Sequence, residues 1–262
     1  MLTELLSGMS AAQVYDLEQP RFFGMPVYPS HKPGYFYALH RRHSDQTGTR
    51  RTGASGMFTM MEHAGTHIDA LCHQAFDGKL CGGIPVQEVE TSAGFSKLGV
   101  EQVPPILARG VLLDVAGPAR LPELYSIPAQ ELEACAARQG VEIQKGDVLL
   151  VRTGFGAAWN DEALYLRAAG ISKSGTLWAA QRQVAAVGVD NMSWDAPGEC
   201  DPETGVSLFA HAYLLAQKGI YILENLNLEQ LAADRRYQFA LFAAPLKLRG
   251  ATGSPIRPLA LV

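Results

Sequence analysis

The chain is poor in several features, and each absence narrows what it does. No apolar run in its 262 residues approaches the roughly 20 needed to cross a bilayer as a helix. Met1 to Pro20 has no basic start followed by a sustained apolar core, so no secretory leader is expected. Long basic runs are missing and the formal net charge is −4, which gives no support for a nucleic-acid or membrane partner. Four cysteines (Cys72, Cys81, Cys135 and Cys200) are scattered without a C-x-x-C pair, as expected of free thiols in a reducing, cytoplasmic setting. Gly154-Phe155-Gly156 lacks both a third glycine and a Walker lysine, so it reads as a structural turn. Its amides could still hold a substrate carboxylate. Repeats, low-complexity tracts and linkers are absent, which predicts one domain over 1–262. Within it, 1–58 forms a loop-rich, aromatic N-terminal extension.

What is present in unusual density is histidine. Three of the seven fall within eleven residues, in Glu62-His63-Ala64-Gly65-Thr66-His67-Ile68-Asp69-Ala70-Leu71-Cys72-His73, with one aspartate among them. Imidazole and carboxylate suit a borderline divalent ion such as zinc. A helix would put His63 and His67 on one face but turn Asp69 away, and Gly65, Thr66 and Ile68 disfavour it. A straight strand aligns all three but holds His63 and His67 roughly 13 Å apart, too far for one ion. A kink at Gly65, followed by a short extended piece, resolves this. It folds His63 back and sets His67 beside Asp69. His73 follows closely enough to be a fourth ligand or a proton carrier. His40-Arg41-Arg42-His43 is discounted as a second cluster, because its arginines repel a cation.

Around this stretch the pattern is mixed. Ala11 to Leu17 offers a short helix, and residues 20–60 read as loops with short strands. Phe22, Phe23, Tyr28, Tyr35, Phe36 and Tyr37 concentrate there, as packing or as a wall that closes over substrate or reaches a neighbouring subunit. Gly110–Asp114 and Asp147–Arg152 predict buried strands, and Ala129–Gln139, after Pro128 and before Gly140, a capped amphipathic helix. Residues 176–183 read as helix. Val184–Asp190 reads as a core strand that delivers Asp190, Ser193 and Asp195 to the rim of a cleft, with Asp190 structural. Val206–Gln217 predicts an apolar helix carrying His211. Ile220–Leu223 predicts a strand that Glu224 ends, followed by a short helix at 228–233 and a strand at 237–245. On spacing alone, His211 and Glu224 read as core and turn residues.

His63-Ala-Gly-Thr-His67-Ile-Asp69-Ala70, with His73 beyond, resembles the H-x-G-T-H-x-D-x-P-x-H signature of the cyclase family of metal-dependent hydrolases. That family includes bacterial kynurenine formamidases and isatin hydrolases. Leu71 stands where the pattern has proline, which removes no ligand. Gly250 to Arg257 resembles the family's C-terminal Gly-Ser-Pro-x-Arg end, so the likeness runs from about residue 60 to the terminus. It implies that His211 and Glu224 join Asp69 in a second metal half-site, that His63, His67 and Asp69 hold the first ion, and that His73 relays protons. It also implies a swivelling β/β/α fold, in keeping with the mixed-sheet layered α/β domain that the elements suggest.

The expected function is hydrolysis of an amide, lactam or imide C–N bond in a small cyclic or aromatic substrate by metal-activated water. The cofactor is a divalent metal, Zn or Mn, with one or two ions per subunit. The assembly is a homodimer or homotetramer. Alternatives are a lactone or ester hydrolase on the same site, a metal-stabilised binding module without turnover, and a closed structural site of His63, His67, Asp69 and His73.

Overall fold

The structure, a computed structural model, describes Gly8 and residues 11–262. Its strands are β1 (Val14–Asp16), β2 (Phe36–Arg41), β3 (Ser55–Thr59), β4 (His67–Asp69), β5 (Ile106–Asp114), β6 (Val148–Arg152), β7 (Ala186–Val189), β8 (Tyr221–Glu224), β9 (Gln238–Ala243), β10 (Gly253–Pro255) and β11 (Leu259–Leu261). Its helices are α1 (Ala129–Gln139), α2 (Lys173–Gln181), α3 (Phe209–His211) and α4 (Glu229–Ala233). Shorter pieces fill the connections.

Nine strands form one mixed sheet in the order β1-β11-β9-β5-β6-β7-β8-β4-β10. The centre, β5 to β8, is parallel and nearly all apolar, as strands covered on both faces must be. The strands on either side of it, β9 and β4, run antiparallel to it, and each pairs antiparallel in turn with the next strand outward, β11 and β10. One face carries Val111, Leu149, Val187 and Ile222 under Leu132 and Cys135 of α1, Trp178 of α2 and Leu214. The other carries Leu112, Leu150, Leu223 and Ile68 against Leu80, Val89 and Val100 of the looped segment and Leu231 of α4. Each such side chain contributes about 1.5–3 kcal/mol on burial. Helices, a large sheet and a layer of short strands are thus stacked in the expected layered α/β arrangement.

Several boundaries sit where the sequence puts them. Helix α1 spans Ala129–Gln139 and ends at Gly140 with φ 65°, a left-handed cap that glycine adopts without strain. Others differ. The Ala11–Leu17 segment, read as a short helix, instead contains β1. Tyr15 points inward between exposed Val14 and Asp16 while the strand pairs with β11, so edge pairing outweighs local propensity. The helix at 206–217 begins only at Phe209, because Asp195 accepts the amides of Ala210 and His211 there. Beyond His211 the turns widen to π-helical form through Lys218.

Candidate metal centre and active site

The site begins with a turn and a register. Gly65 takes φ 72° and folds the chain, so that the His63 and His67 rings lie 5.1 Å apart between centroids. Strand β4 then alternates. Ile68 enters the core, while His67 and Asp69 face the other way, with His67 Nε2 3.3 Å from Asp69 Oδ1. Antiparallel pairing with β8 sets Glu224 directly opposite His67, with Glu224 Oε2 3.5 Å from His67 Nε2. From the end of α3, His211 Nε2 reaches to 3.2 Å from Glu224 Oε1 and 3.5 Å from Asp69 Oδ2.

Supporting hydrogen bonds orient each ring. His67 Nδ1 donates to the Gly65 carbonyl at 2.8 Å, which leaves its Nε2 lone pair toward the carboxylates. His211 Nδ1 donates to Asp195 Oδ2 at 2.6 Å, with the same result. Metal-binding histidines are held in this way by a partner on the other ring nitrogen. His63 Nδ1 is 2.8 Å from Asp69 Oδ1, and its Nε2 is 2.8 Å from the Thr252 hydroxyl, which donates to Glu62. Glu224 Oε1 accepts the Trp194 amide at 3.0 Å. His73, past the turn at Ala70, stacks on His63 at 4.0 Å and its Nε2 lies 3.3 Å from the Gln74 side-chain nitrogen.

All the sequence-selected residues therefore meet: His63, His67, Asp69, His73, His211 and Glu224 line one small cavity of about 90 Å³. All but His73 are buried. Ligand atoms of His63, Asp69 and His73 lie within 4.8 Å of one another, as do those of His67, Asp69 and Glu224. Two buried atoms of the lining are left over: Ser193 Oγ and Asp69 Oδ2 have no hydrogen-bond partner. An unsatisfied buried carboxylate oxygen is costly, and here it faces imidazole nitrogens whose lone pairs point inward. That donor set and that orphaned oxygen fit a divalent cation.

The charges reflect the crowding. Burial opposes ionisation of Asp69, but His73, His63 and His67 around it hold its carboxyl well below the usual range. Burial also opposes charge on His211, yet the Asp195 and Glu224 carboxylates raise it well above an ordinary imidazole; a cation between the carboxylates would displace the Nε2 proton that they otherwise favour. His73 is pulled down to about 3, first by burial and then by the neighbouring histidines.

Two residues escaped the sequence reading of the site. His31, on the turn Pro29–His31, lies 5.0 Å from the His63 ring and closes the cavity from the N-terminal side with Tyr28 and Ser30. It is a lone histidine in a loop, without a spacing signal. Thr252 lies on the strand-like segment entering β10, and only the fold brings it to His63. Asp190, read as structural, accepts the Thr153 amide and hydroxyl and the Gly154 amide. The turn at Gly154 thus cradles a carboxylate from its own chain, which corrects the suggestion that its amides hold substrate. The aromatic extension divides. Phe22, Tyr28 and Tyr35 pack beside Met25, Val27 and Trp159, whereas Phe23, Phe36 and Tyr37 remain exposed. A larger cavity, about 780 Å³ beside Arg152, Asp114 and Glu229, is a separate ion-paired cleft. All four cysteines are free, and among the described residues no helix is long and apolar enough to cross a membrane.

The family model described as "Putative cyclase" matches residues 15–196, and the chain belongs to that family. The match begins well before residue 60, so it takes in residues 15–58 of the N-terminal extension that the motif alone left out, and it ends before His211 and Glu224. Kynurenine formamidase of Bacillus mycoides is 28% identical over 256 residues, covering 95% of this chain and 97% of its own. Isatin hydrolase of Roseibium aggregatum is 29% identical over 212 residues, covering 77% and 72%. Among solved structures, a novel cyclase superposes with a TM-score of 0.85 at 29% identity, covering 98% of this chain and 91% of that one. Isatin hydrolase A from Ralstonia solanacearum superposes at 0.78 with 25% identity, covering 100% and 97%.

Proposed function

We propose that the chain is a metal-dependent hydrolase that cleaves an amide, lactam or imide C–N bond of a small cyclic or aromatic substrate. The observation that carries the reading is the convergence of His63, His67 and His211 with Glu224 on Asp69, whose Oδ2 is buried and unpaired. The names of the relatives agree in bond type. A formamidase opens a formamide, and isatin hydrolase acts on a cyclic amide.

His63, His67 and Asp69 would hold one ion, and His211 and Glu224, with Asp69 between, a second. Zinc and manganese both suit this mixture of imidazole and carboxylate. Such an ion, when bound, makes water acidic enough to supply hydroxide near neutral pH and polarises the carbonyl under attack. The protein's own groups do the rest. Asp195 and the Gly65 carbonyl hold the His211 and His67 rings in the tautomer that leaves Nε2 free. Tyr28, Ser30 and His31 cover the cavity and limit bulk water. His73 Nε2 takes a proton as water oxygen bonds to the acyl carbon, then gives it to the nitrogen as the C–N bond breaks. Proton transfer of this kind is worth about 100- to 10,000-fold. The four free thiols support a reducing, cytoplasmic location.

The test is metal content per subunit of protein purified without added metal or chelator, repeated on His67→Ala, beside a screen of aryl formamides, lactams, imides and lactones. One or two equivalents, lost in the variant, with amine and acid as products, is the expected result. A protein that takes up neither zinc nor manganese on reconstitution refutes the reading. Hydroxy acids as the only products move it to lactones.

A further inference from the structure

The cleft beside Arg152 differs from the metal centre in place and in chemistry. It lies outside the carboxyl ends of β5 and β6, which Asp114 and Arg152 close. Helix α1 packs on one face of the sheet and α4 on the other, and the cleft opens between Arg138 of the first and Ala233 of the second. A crevice at the carboxyl edge of the strands, between helices on opposite faces, is where open α/β sheets take their ligands. Its volume of about 780 Å³ is within the range of small-molecule sites. It shares no lining residue with the metal centre.

The floor of the cleft is fixed and acidic. Buried Arg152 donates through Nε and Nη2 to the two oxygens of Glu229, at 3.0 and 2.8 Å. Its Nη1 donates to Asp114 Oδ1 at 2.7 Å and to the Gly117 carbonyl at 2.9 Å. One guanidinium therefore answers two carboxylates. Both donors to the Asp114 side chain reach Oδ1, and Oδ2 accepts none among the described residues. The rim has the opposite sign. Arg138 makes one 3.3 Å bond to the Asp114 carbonyl, and neither it nor Arg235 has a carboxylate partner among the described residues. Arg235 follows α4 at φ 52°, in a cap where its amide bonds to Ala232 and that of Arg236 to Leu231. Glycine normally fills such a position, because a side chain is strained there. An arginine stands there instead, and it lines the cleft. Pro118, Ala232 and Tyr237 supply the apolar part of the wall.

We infer that this cleft binds a free amino acid or a related aminocarboxylate, with its carboxylate on Arg138 and Arg235, its ammonium on Asp114 and Glu229, and its side chain against Tyr237. A structural staple accounts for Arg152, Asp114 and Glu229, but it needs neither the two rim arginines nor the open Asp114 Oδ2. A simple anion would leave the acidic floor unanswered, and a simple amine would leave the rim so. A ligand that carries both charges satisfies each, and arginine is suited to hold the carboxylate through paired bonds. Neither half of this charge pattern depends on the metal centre. Under the hydrolase reading, opening a lactam leaves amine and carboxylate on one molecule, so such a product falls within the same ligand class.

The test is calorimetric titration of the full chain with the natural amino acids, and with two truncated forms of each one that binds: the acid without its amine and the amine without its carboxylate. For phenylalanine these are 3-phenylpropanoate and 2-phenylethylamine. The titrations are repeated on Arg138→Ala/Arg235→Ala and on His67→Ala. Both arginines are exposed, so the double variant is expected to keep the circular dichroism of the wild type. The expected result is saturable binding of at least one amino acid with a Kd below about 1 mM. Both truncated forms, and the double variant, should bind at least about tenfold more weakly, and His67→Ala should bind as the wild type does. No saturable binding of any amino acid overturns the inference. So does a truncated acid that binds as tightly as its amino acid, which leaves a plain anion site. Binding that survives in the double variant and is lost in His67→Ala places the ligand at the metal centre and overturns it too. The readout is binding alone, so a chain that hydrolyses nothing still decides the question.

Discussion

Asp195→Asn separates the support of His211 from its mere presence. The Asp195 carboxylate accepts three donors: the Ala210 amide on Oδ1 at 2.6 Å, and on Oδ2 the His211 amide at 3.2 Å and the His211 ring Nδ1 at 2.6 Å. The asparagine side chain has the same shape but one acceptor oxygen, so in either orientation a donor faces a donor. With its NH2 toward Ala210, a buried amide loses its acceptor, at about 1–3 kcal/mol. With its NH2 toward His211, the ring must carry its proton on Nε2 and no longer offers a lone pair to Asp69 and Glu224. Either way the imidazole loses the carboxylate that strengthens it as a ligand, a loss typically of about 10–100-fold in metal affinity, or about 1.4–2.8 kcal/mol. The assay is calorimetric titration of chelator-treated protein with zinc and with manganese, beside a thermal melt. The expected result is a lower melting temperature and weakening of the equivalent that His211 holds, with the His63–His67 equivalent little changed. Wild-type affinity for every equivalent would refute the support role, and equal weakening of all equivalents would refute the assignment of His211 to a distinct half-site.

His73→Ala should keep metal content and lower turnover by about 100- to 10,000-fold, as read by single-turnover kinetics on any accepted substrate; unchanged turnover removes the proton-relay role. Gly65→Ala places a methyl group 3.0 Å from Arg21 Nε at φ 72°, costs about 1–2 kcal/mol for the left-handed backbone, and should lower metal occupancy by displacing His63. Asp190→Ala strips acceptors from three amides, of Thr153, Gly154 and Gly156, and from the Thr153 hydroxyl and should destabilise by about 2–5 kcal/mol; the folded fraction should retain its metal, since Asp190 does not line the cavity. Chelation should lower the melting temperature of the wild type, because a ligand at a hundred times its Kd adds about 2.7 kcal/mol to the folded state. A melt insensitive to chelator and to added metal would speak against a bound ion.

The elements that the sequence disclosed are those with strong local causes. Helix α1 has proline before it, glycine after it and Leu132, Cys135 and Ala136 on one face, and its limits are legible to the residue. Strands β5 and β6 show as apolar runs because the fold covers both their faces. The edges were harder to read. Strand β1 is three residues long, and its conformation comes from pairing with Leu259–Leu261 at the far end of the chain, a partner that no local window contains. The late start of α3 has the same origin, since its cap is a carboxylate sixteen residues earlier in the chain.

The candidate metal centre divides along the same line, and the division shows how the cavity is built. His63, His67, Asp69 and His73 are near in sequence, so one glycine bend and one strand alternation suffice to argue them together. His211 and Glu224 carry no such signal. A single histidine on an apolar helix and a glutamate at a strand end are ordinary residues, and the family signature alone singled them out. The structure supplies the reason they matter. Glu224 faces His67 because β8 pairs with β4 in a register that also sets Leu223 against Ile68 and Ile222 against Asp69. Slipping that register by one residue would turn Glu224 into the core and Leu223 into the cavity. The apolar alternation of Ile222, Leu223 and Ile68, which is a matter of packing, therefore fixes the placement of the candidate ligands. Substitutions at Ile68 or Leu223 should accordingly depress metal affinity together with stability, although neither side chain faces the ion site. Leu223→Ala is the direct case: a loss of about 2–5 kcal/mol is expected from the cavity, and a fall in metal occupancy measured well below the melting temperature is expected from loosened register. Undiminished occupancy in the folded fraction would show that the β4–β8 pairing holds Glu224 without help from the core beneath it.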